Sequence, residues 1–232
     1  MTPGPRPHLP SSHPLREEDA ETGPPVRIRL VHPEDIPAVI ALSHRVYGAE
    51  GAWLTRELTS HQRIFPEGQL LAVHRSSRRP VGFAVTLLID SRRFDIQANW
   101  NQITAGGSLR THDPEGGDIL YGAGIAVDSR ARGMGIGKRL YAAREAMAER
   151  LGVTRIRAGA RISGYRAVHR ELDPFQYVQE VVEGKRRDPT LSFQLHMGFR
   201  VLGVALNYLP LDRESRGHAA VVEWRSPPRP DR

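Results

Sequence analysis

Ile125-Ala-Val-Asp-Ser-Arg-Ala-Arg132-Gly-Met-Gly135-Ile-Gly137-Lys-Arg-Leu140 is an apolar run, then a glycine-rich turn, then the opening of an amphipathic stretch. Ile125, Ala126 and Val127 end an apolar segment that begins at Ile119, and the segment reads as a strand. Leu140, Ala143, Met147 and Leu151 recur at helical spacing, which predicts a helix over 133–151 with Gly152 as its stop. The first amides of a helix have no intrahelical acceptor and lie at the positive end of its dipole. Glycines at 133, 135 and 137 let a ligand come close to that backbone. A strand, a glycine turn and a helix start in this order suit a phosphate or pyrophosphate.

The spacing excludes the common nucleotide loops. A phosphate-binding loop of the Gly-Lys-Ser/Thr type needs a hydroxyl after its lysine, but Lys138 is followed by Arg139. A dinucleotide fingerprint needs a third glycine, and from Gly133 or Gly135 that slot holds Lys138 or Leu140. What remains is Arg132-x-x-Gly135-x-Gly137.

Outward from this centre, Val26, Ile28 and Leu30 alternate with Arg27 and Arg29 as a half-buried strand. Pro33, Glu34 and Asp35 open a helix with the stripe Ile36, Val39, Ile40 and Val46, closed by Gly48. A second helix is expected over 55–65. Strands at 69–74 and 81–89 form a hairpin about the turn at Ser76 to Pro80, and 94–100 is expected to add another strand. Residues 105–117 are Gly-rich loop, and 155–160 reads as a strand. Asp173-Pro174 and Asp188-Pro189 each place a capping carboxylate before a first-turn proline, so each is expected to start a helix, the second ending at Gly198. Residues 199–209 and 219–224 close the chain as an antiparallel pair. The order gives a mixed α/β (α+β) layer domain over 26–225. Residues 1–25 carry seven prolines and few aliphatic residues, and are expected to be a disordered arm; 226–232 are expected to be a flexible tail.

Composition narrows the classes further. Of 232 residues 39% are hydrophobic and 25% charged, an ordinary soluble balance. No cysteine is present, so disulfides, a Cys nucleophile and Cys-ligated zinc are excluded, and a cytoplasmic location is expected. No metal site is read. No apolar run approaches the ~18 residues of a membrane helix, and 1–25 holds no signal-peptide stretch. The net charge of +7 comes from arginines that are scattered, so nucleic acid is not the expected partner.

The Arg132-x-x-Gly135-x-Gly137 spacing after an apolar strand resembles the acetyl-CoA signature of the GNAT superfamily. His196-Met197-Gly198-Phe199-Arg200 is similar to the family's late helix ending in Gly-Phe, and the resemblance spans about 26–224. Four stretches are similar to acetyltransferase modules found alone or fused to carbon–nitrogen hydrolases: Phe65-Pro-Glu-Gly-Gln69, Thr111-His-Asp-Pro114, Asp188-Pro-Thr-Leu-Ser-Phe-Gln194 and Asn207-Tyr-Leu-Pro210. The resemblance implies a GNAT-like, mostly antiparallel sheet of six or seven strands with helices on both faces. It implies an N-acetyltransferase that moves the acetyl group of acetyl-CoA directly to a primary amine of a small molecule or peptide. A homodimer is left open.

By the same resemblance, Arg132, Gly133, Met134, Gly135, Ile136, Gly137 and Lys138 would hold the CoA pyrophosphate. Ile125, Ala126 and Val127 would run beside the pantetheine arm, with one backbone N–H polarising the thioester carbonyl. The chain departs from the family at two places. Where many members carry a glutamate before the loop, it has Tyr121-Gly-Ala-Gly124; where they carry a tyrosine four residues before the late glycine, it has Gln194. Tyr165 and Tyr208 are the catalytic candidates in their stead, with Asp118, His112 and His196 as further options. The departures also keep a second reading open, a non-catalytic acyl-CoA-binding module. The insertion between Gly164 and Asp188 would shape the acceptor site or a dimer contact.

Overall fold

The computed structural model describes residues 25–227. The expected arm and the end of the tail therefore lie outside the described residues. Seven strands form one sheet: β1 Val26–Leu30, β2 Gln69–His74, β3 Pro80–Ile89, β4 Ile119–Val127, β5 Arg155–Arg161, β6 Arg200–Ala205 and β7 Ala219–Arg225. Their order is β1-β2-β3-β4-β5-β7-β6. All pairings are antiparallel except β4 with β5.

Alternation along the strands sends side chains to two separate cores. On one face lie α1 (Ile36–Gly51), α2 (Thr55–Ile64) and α3 (Trp100–Thr104), with Val39, Leu42, Trp53 and Leu58 packed on Leu71, Phe83, Leu87 and Ile119. On the other lie α4 (Ile136–Arg150), α5 (Pro174–Val182) and α6 (Leu191–His196), with Leu140, Met147, Val178 and Leu191 packed on Leu70, Leu120 and Ile156. Helices thus cover both faces, as expected.

Three local expectations are corrected. Residues 94–100 form no strand. Asp95 accepts from the amides of Gln97 (2.8 Å) and Ala98 (3.1 Å), and Asn99 caps α3 by accepting from Gln102 (2.9 Å). Side chains that bond their own backbone favour turns over a ladder. The helix after the glycine turn starts at Ile136 rather than at Gly133, because Gly133 (φ +84°) and Gly135 (φ +70°) are left-handed. Gly48 (φ +76°) breaks α1 as expected, but one further turn runs on to Gly51.

The insertion is tied to the sheet by Asp188, which is fully buried. One of its oxygens accepts from Gly164 N and Tyr177 Oη, both at 2.9 Å; the other accepts from Thr190 N (2.9 Å) and Leu191 N (2.8 Å). The carboxylate therefore caps α6 from two residues ahead of its first turn. With each orphaned buried donor costing about 1–3 kcal/mol, Asp188→Ala is expected to lower stability by roughly 3 kcal/mol or more, measured by urea unfolding.

His61 is also fully buried, with Nε2 2.7 Å from Gly107 O, and burial pushes its pKa down to about 4. Between pH 6.5 and 4 the unfolded chain binds a proton here that the folded chain does not. His61 thus contributes stability that is fully present above pH 6.5 and is lost as pH falls toward 4, by up to about 1.4 kcal/mol per pH unit. Unfolding measured from pH 7 to 5 should show a shallower decline in His61→Asn than in the wild type.

Candidate functional site

β4 and β5 hold together over only three residues, Leu120 to Gly122 against Ile156 to Ala158. Beyond them both strands continue but separate. A β-bulge at Ala123 starts the separation: Thr86 opposes Gly122 while Val85 opposes Gly124. Past the bulge, Asp128 N donates to Val81 O (2.9 Å), so the polar groups of Asp128 face β3. By strand alternation Ala126 also faces β3, while Ile125 and Val127 turn their N–H and C=O groups into the gap beside β5. Tyr47 of α1 marks this direction, since its hydroxyl donates to Ile125 O at 2.5 Å. Burial pushes the Tyr47 phenol up to about 12, which keeps it a donor.

The gap runs into the glycine turn. Asp128 sits beneath that turn, accepting from the Arg130 amide (3.1 Å) and guanidinium (2.8 Å) and from Arg45 Nε (3.2 Å). The Arg130 side chain, above all, holds this carboxyl well below the usual range. Gly135 caps α4, and the first intrahelical bond runs from Arg139 N to Gly135 O. The amides of Ile136, Gly137 and Lys138 thus have no acceptor in the helix. Arg132, Gly133, Gly135 and Lys138 are exposed, Met134 and Gly137 half-buried, and Ile136 buried, so the turn offers main chain outward and packs Ile136 inward. Phe193 of α6 closes one side, with its Cζ 3.0 Å from where a Gly137 Cβ would stand. An open groove of about 310 Å³ continues there, lined by Arg187, Ser192, Phe193 and His196.

The tyrosine candidates go to different places. Tyr208 is buried, and its hydroxyl shares a short hydrogen bond with Tyr121 Oη where β4 and β5 part. Burial raises the pKa of both phenols. Gly159 makes this arrangement fit: a Cβ there would stand 2.2 Å from Tyr208 Cζ. Tyr165 instead donates to Leu172 O (3.0 Å) and packs edge-on against Tyr177 (5.5 Å), within the insertion. Asp118 lies at the opposite end of β4 from the turn, held by Ser91 and Arg155. His112 accepts from Leu88 N (3.0 Å) and stacks on Phe65 (4.3 Å). His196 is exposed on α6. Of these side chains, Tyr208 is the one placed at the parting of the strands.

Trp53, Trp100 and Arg144, which reach the bulge, are not singled out by the sequence reading, whereas Gln194 is. Trp100 Nε1 donates to Ala123 O at the bulge (2.8 Å), and Trp53 lies 3.2 Å from where a Gly124 Cβ would stand. Gln194 donates from Nε2 to Tyr141 Oη of α4 (2.7 Å), and its Oε1 is buried without a partner. Arg144 of α4 is fully buried beneath the bulge. A signal for it exists, because Arg144 stands on the apolar stripe between Leu140 and Met147, where a charge is out of place.

The acetyltransferase (GNAT) family matches residues 40–170, more than half of the chain, across the gap and the glycine turn. The chain belongs to that family. It is 35% identical over 199 residues to the probable hydrolase YhcX of Bacillus subtilis (strain 168), covering 86% of this chain but 38% of YhcX. That partial span agrees with the likeness to modules fused to a hydrolase. The uncharacterized N-acetyltransferase YkwB of the same strain is 32% identical over 203 residues, with 86% of this chain and 88% of YkwB covered. Among solved structures, a GphF GNAT-like decarboxylase in complex with isobutyryl-CoA matches with a TM-score of 0.74 and 26% identity, over 86% of this chain and 98% of that one. GNAT membership supports acyl transfer in general. No helix among the described residues is long and apolar enough to cross a membrane, and no metal-binding group of three or more His, Cys, Asp or Glu occurs among them.

A methyl at position 159 has no room beside the Tyr208 ring. Gly159→Ala is therefore expected to cost about 1–3 kcal/mol and to alter the near-ultraviolet circular dichroism, as Tyr208 is pushed from its place against Tyr121.

Proposed function

We propose that the protein transfers the acetyl group of acetyl-CoA directly to a primary amine of a small molecule or peptide. One observation carries the reading: the unpaired amides at the start of α4 continue into the gap-facing amides of Val127 and Ile125. That line suits one extended ligand with an anion at one end and a carbonyl at the other. When bound, acetyl-CoA supplies an acyl carbon activated as a thioester.

The chain's own groups divide the work. The amides of Ile136, Gly137 and Lys138 take the pyrophosphate, with Gly133 and Gly135 leaving the approach clear and Arg132 and Lys138 adding charge. Val127 aligns the pantetheine arm through its main chain, and Ile125 N–H donates to the carbonyl oxygen as negative charge develops on it. Ala126, turned to β3, and Met134 shape the site by packing. The neutral amine nitrogen forms the new C–N bond, the C–S bond breaks, the leaving sulfur takes the Tyr208 proton, and the proton that the nitrogen loses passes to solvent, from which the Tyr208 oxygen is reprotonated. Tyr165 keeps a packing role in the insertion. Residues 26–225 act as one domain in this reading, and the groups that would perform it need a cytoplasmic supply of acyl-CoA.

A second reading is decarboxylation of a carboxylated acyl-CoA, the chemistry named for the GphF relative. It is favoured by Gly122 and Gly124 at the bulge and by Asp118 being engaged elsewhere, which leave β4 without a carboxylate to take an amine proton. Loss of CO2 needs no such base. The C–C bond electrons pass into an enolate oxygen, which the same Ile125 N–H can hold, and a proton returns to the α-carbon.

Calorimetry with acetyl-CoA tests the common ground. Saturable binding by the wild type, lost in Gly135→Val and Gly137→Leu, is expected; no binding by the wild type refutes both readings. An amine-acceptor screen should then release CoA only when an amine is present, and Tyr208→Phe should lower kcat by about 10²-fold with KM little changed. Release of CO2 from malonyl-CoA without any amine would select the second reading instead. Binding with neither outcome would leave the module non-catalytic.

A further inference from the structure

Arg144 heads the largest side chains that the described part of the protein buries completely. Its Nη2 donates to Val85 O (3.0 Å) and Gly124 O (2.5 Å), and its Nε to Thr86 Oγ1 (3.3 Å). The guanidinium carbon lies 5.5 Å from the centre of the Tyr141 ring. Among the described residues the titratable groups that act on it are the phenols of Tyr141 and Tyr47, and none is a carboxylate. Two features of the sheet make its place. The bulge at Ala123 lies beside the Val85 and Gly124 carbonyls that Arg144 reaches, and Gly122 clears the space, since a Cβ there would stand 3.0 Å from Nη1.

A buried cation without a counter-charge is costly, and an apolar side chain of similar length would fill the same space without that cost. Burial accordingly lowers the pKa of Arg144, with Tyr141 and Tyr47 opposing. The partners of Arg144 suggest what the charge does. The C=O of Gly124 and the N–H of Ile125 belong to one planar peptide group and point in opposite directions. Arg144 grips the oxygen on one side, and the hydrogen faces the gap on the other. A cation on the carbonyl withdraws electrons through the peptide and makes its N–H a stronger donor. The Val85 and Thr86 contacts hold the bulge that sets this direction.

We propose that Arg144 is a positioning residue for the reacting carbonyl: it fixes the bulge at Ala123 and polarises the Gly124–Ile125 peptide, so that Ile125 N–H can hold a developing oxyanion. The inference rests on the acyl-CoA reading, but applies equally to a tetrahedral oxyanion and to an enolate. It assigns a role to a side chain two turns away from the glycine turn, on a helix whose start alone binds the ligand.

The test is the infrared carbonyl band of acetyl-CoA labelled with ¹³C at the thioester carbonyl, bound to the wild type, Arg144→Lys and Arg144→Met, with calorimetric Kd for each. The wild type should shift the band to lower frequency than in free acetyl-CoA. Arg144→Met should lose the shift while keeping Kd within about twofold, because the pyrophosphate amides are untouched. Arg144→Lys should recover part of the shift, as a charge without the forked geometry. If Arg144→Met does not fold, Gly122→Ala, which displaces the guanidinium, should reduce the shift instead. An unshifted band in a wild type that binds, or a full shift in Arg144→Met or Gly122→Ala, overturns the inference alone. No binding by the wild type overturns the acyl-CoA reading and the inference with it.

Discussion

The parting of β4 from β5 is the constraint on which the rest depends. In a regular sheet the Ile125 and Val127 amides would bond the next strand and be closed to any ligand. Here the pairing stops after Gly122 and Ala158, and those groups are left facing a gap. The bulge at Ala123 shifts the alternation at the same point, so Ala123 and Gly124 both meet the indole face while Ile125 turns toward the helix α4 side. Strand ends of this kind place main-chain donors without needing conserved side-chain chemistry, which suits a fold that serves many acceptors.

Three glycines let other elements reach the gap. Gly122 admits Arg144 from α4, Gly124 admits Trp53 from the α1–α2 connection, and Gly159 admits Tyr208 from beyond β6. The two faces therefore contribute different chemistry. The α4 and α6 face brings the cation, the amides of the turn and the Tyr141–Gln194 pair. The opposite face brings Trp53, Trp100, Tyr47 and the Tyr121–Tyr208 pair. In the proposed reading, a ligand lying along β4 would touch the first set through its anionic end and meet both sets at its reactive end.

Much of the fold was legible because its signals are local. The strand at 119–127, the hairpin at 69–89, and the Asp-Pro start of α5 follow from alternation, turn residues and caps, while α6 begins at Leu191, two residues later than Asp188-Pro189 predicts. The failure at 94–100 is also local: Asp95 and Asn99 divert the backbone into turns, and apolar spacing does not register that. The site was legible only in part. The glycine turn is contiguous in the chain, so its spacing could be read. The gap joins residues as far apart as Tyr47, Arg144 and Tyr208, and nothing in linear spacing brings them together. Tyr165 and Tyr208 look equivalent as tyrosines near strand ends, and only packing separates them, through Leu172 O for one and Tyr121 for the other. Arg144 did carry a signal, a charge on an apolar helix stripe, which reads equally as a flaw in the stripe until the bulge carbonyls are seen.

The most direct test of the gap and the glycine turn as one continuous site is amide NMR on the ¹⁵N-labelled protein, titrated with acetyl-CoA. The account predicts that the resonances of Ile125, Val127, Ile136, Gly137 and Lys138 move together with a single dissociation constant. Shifts confined to the turn, with Ile125 and Val127 unmoved at saturation, would contradict it.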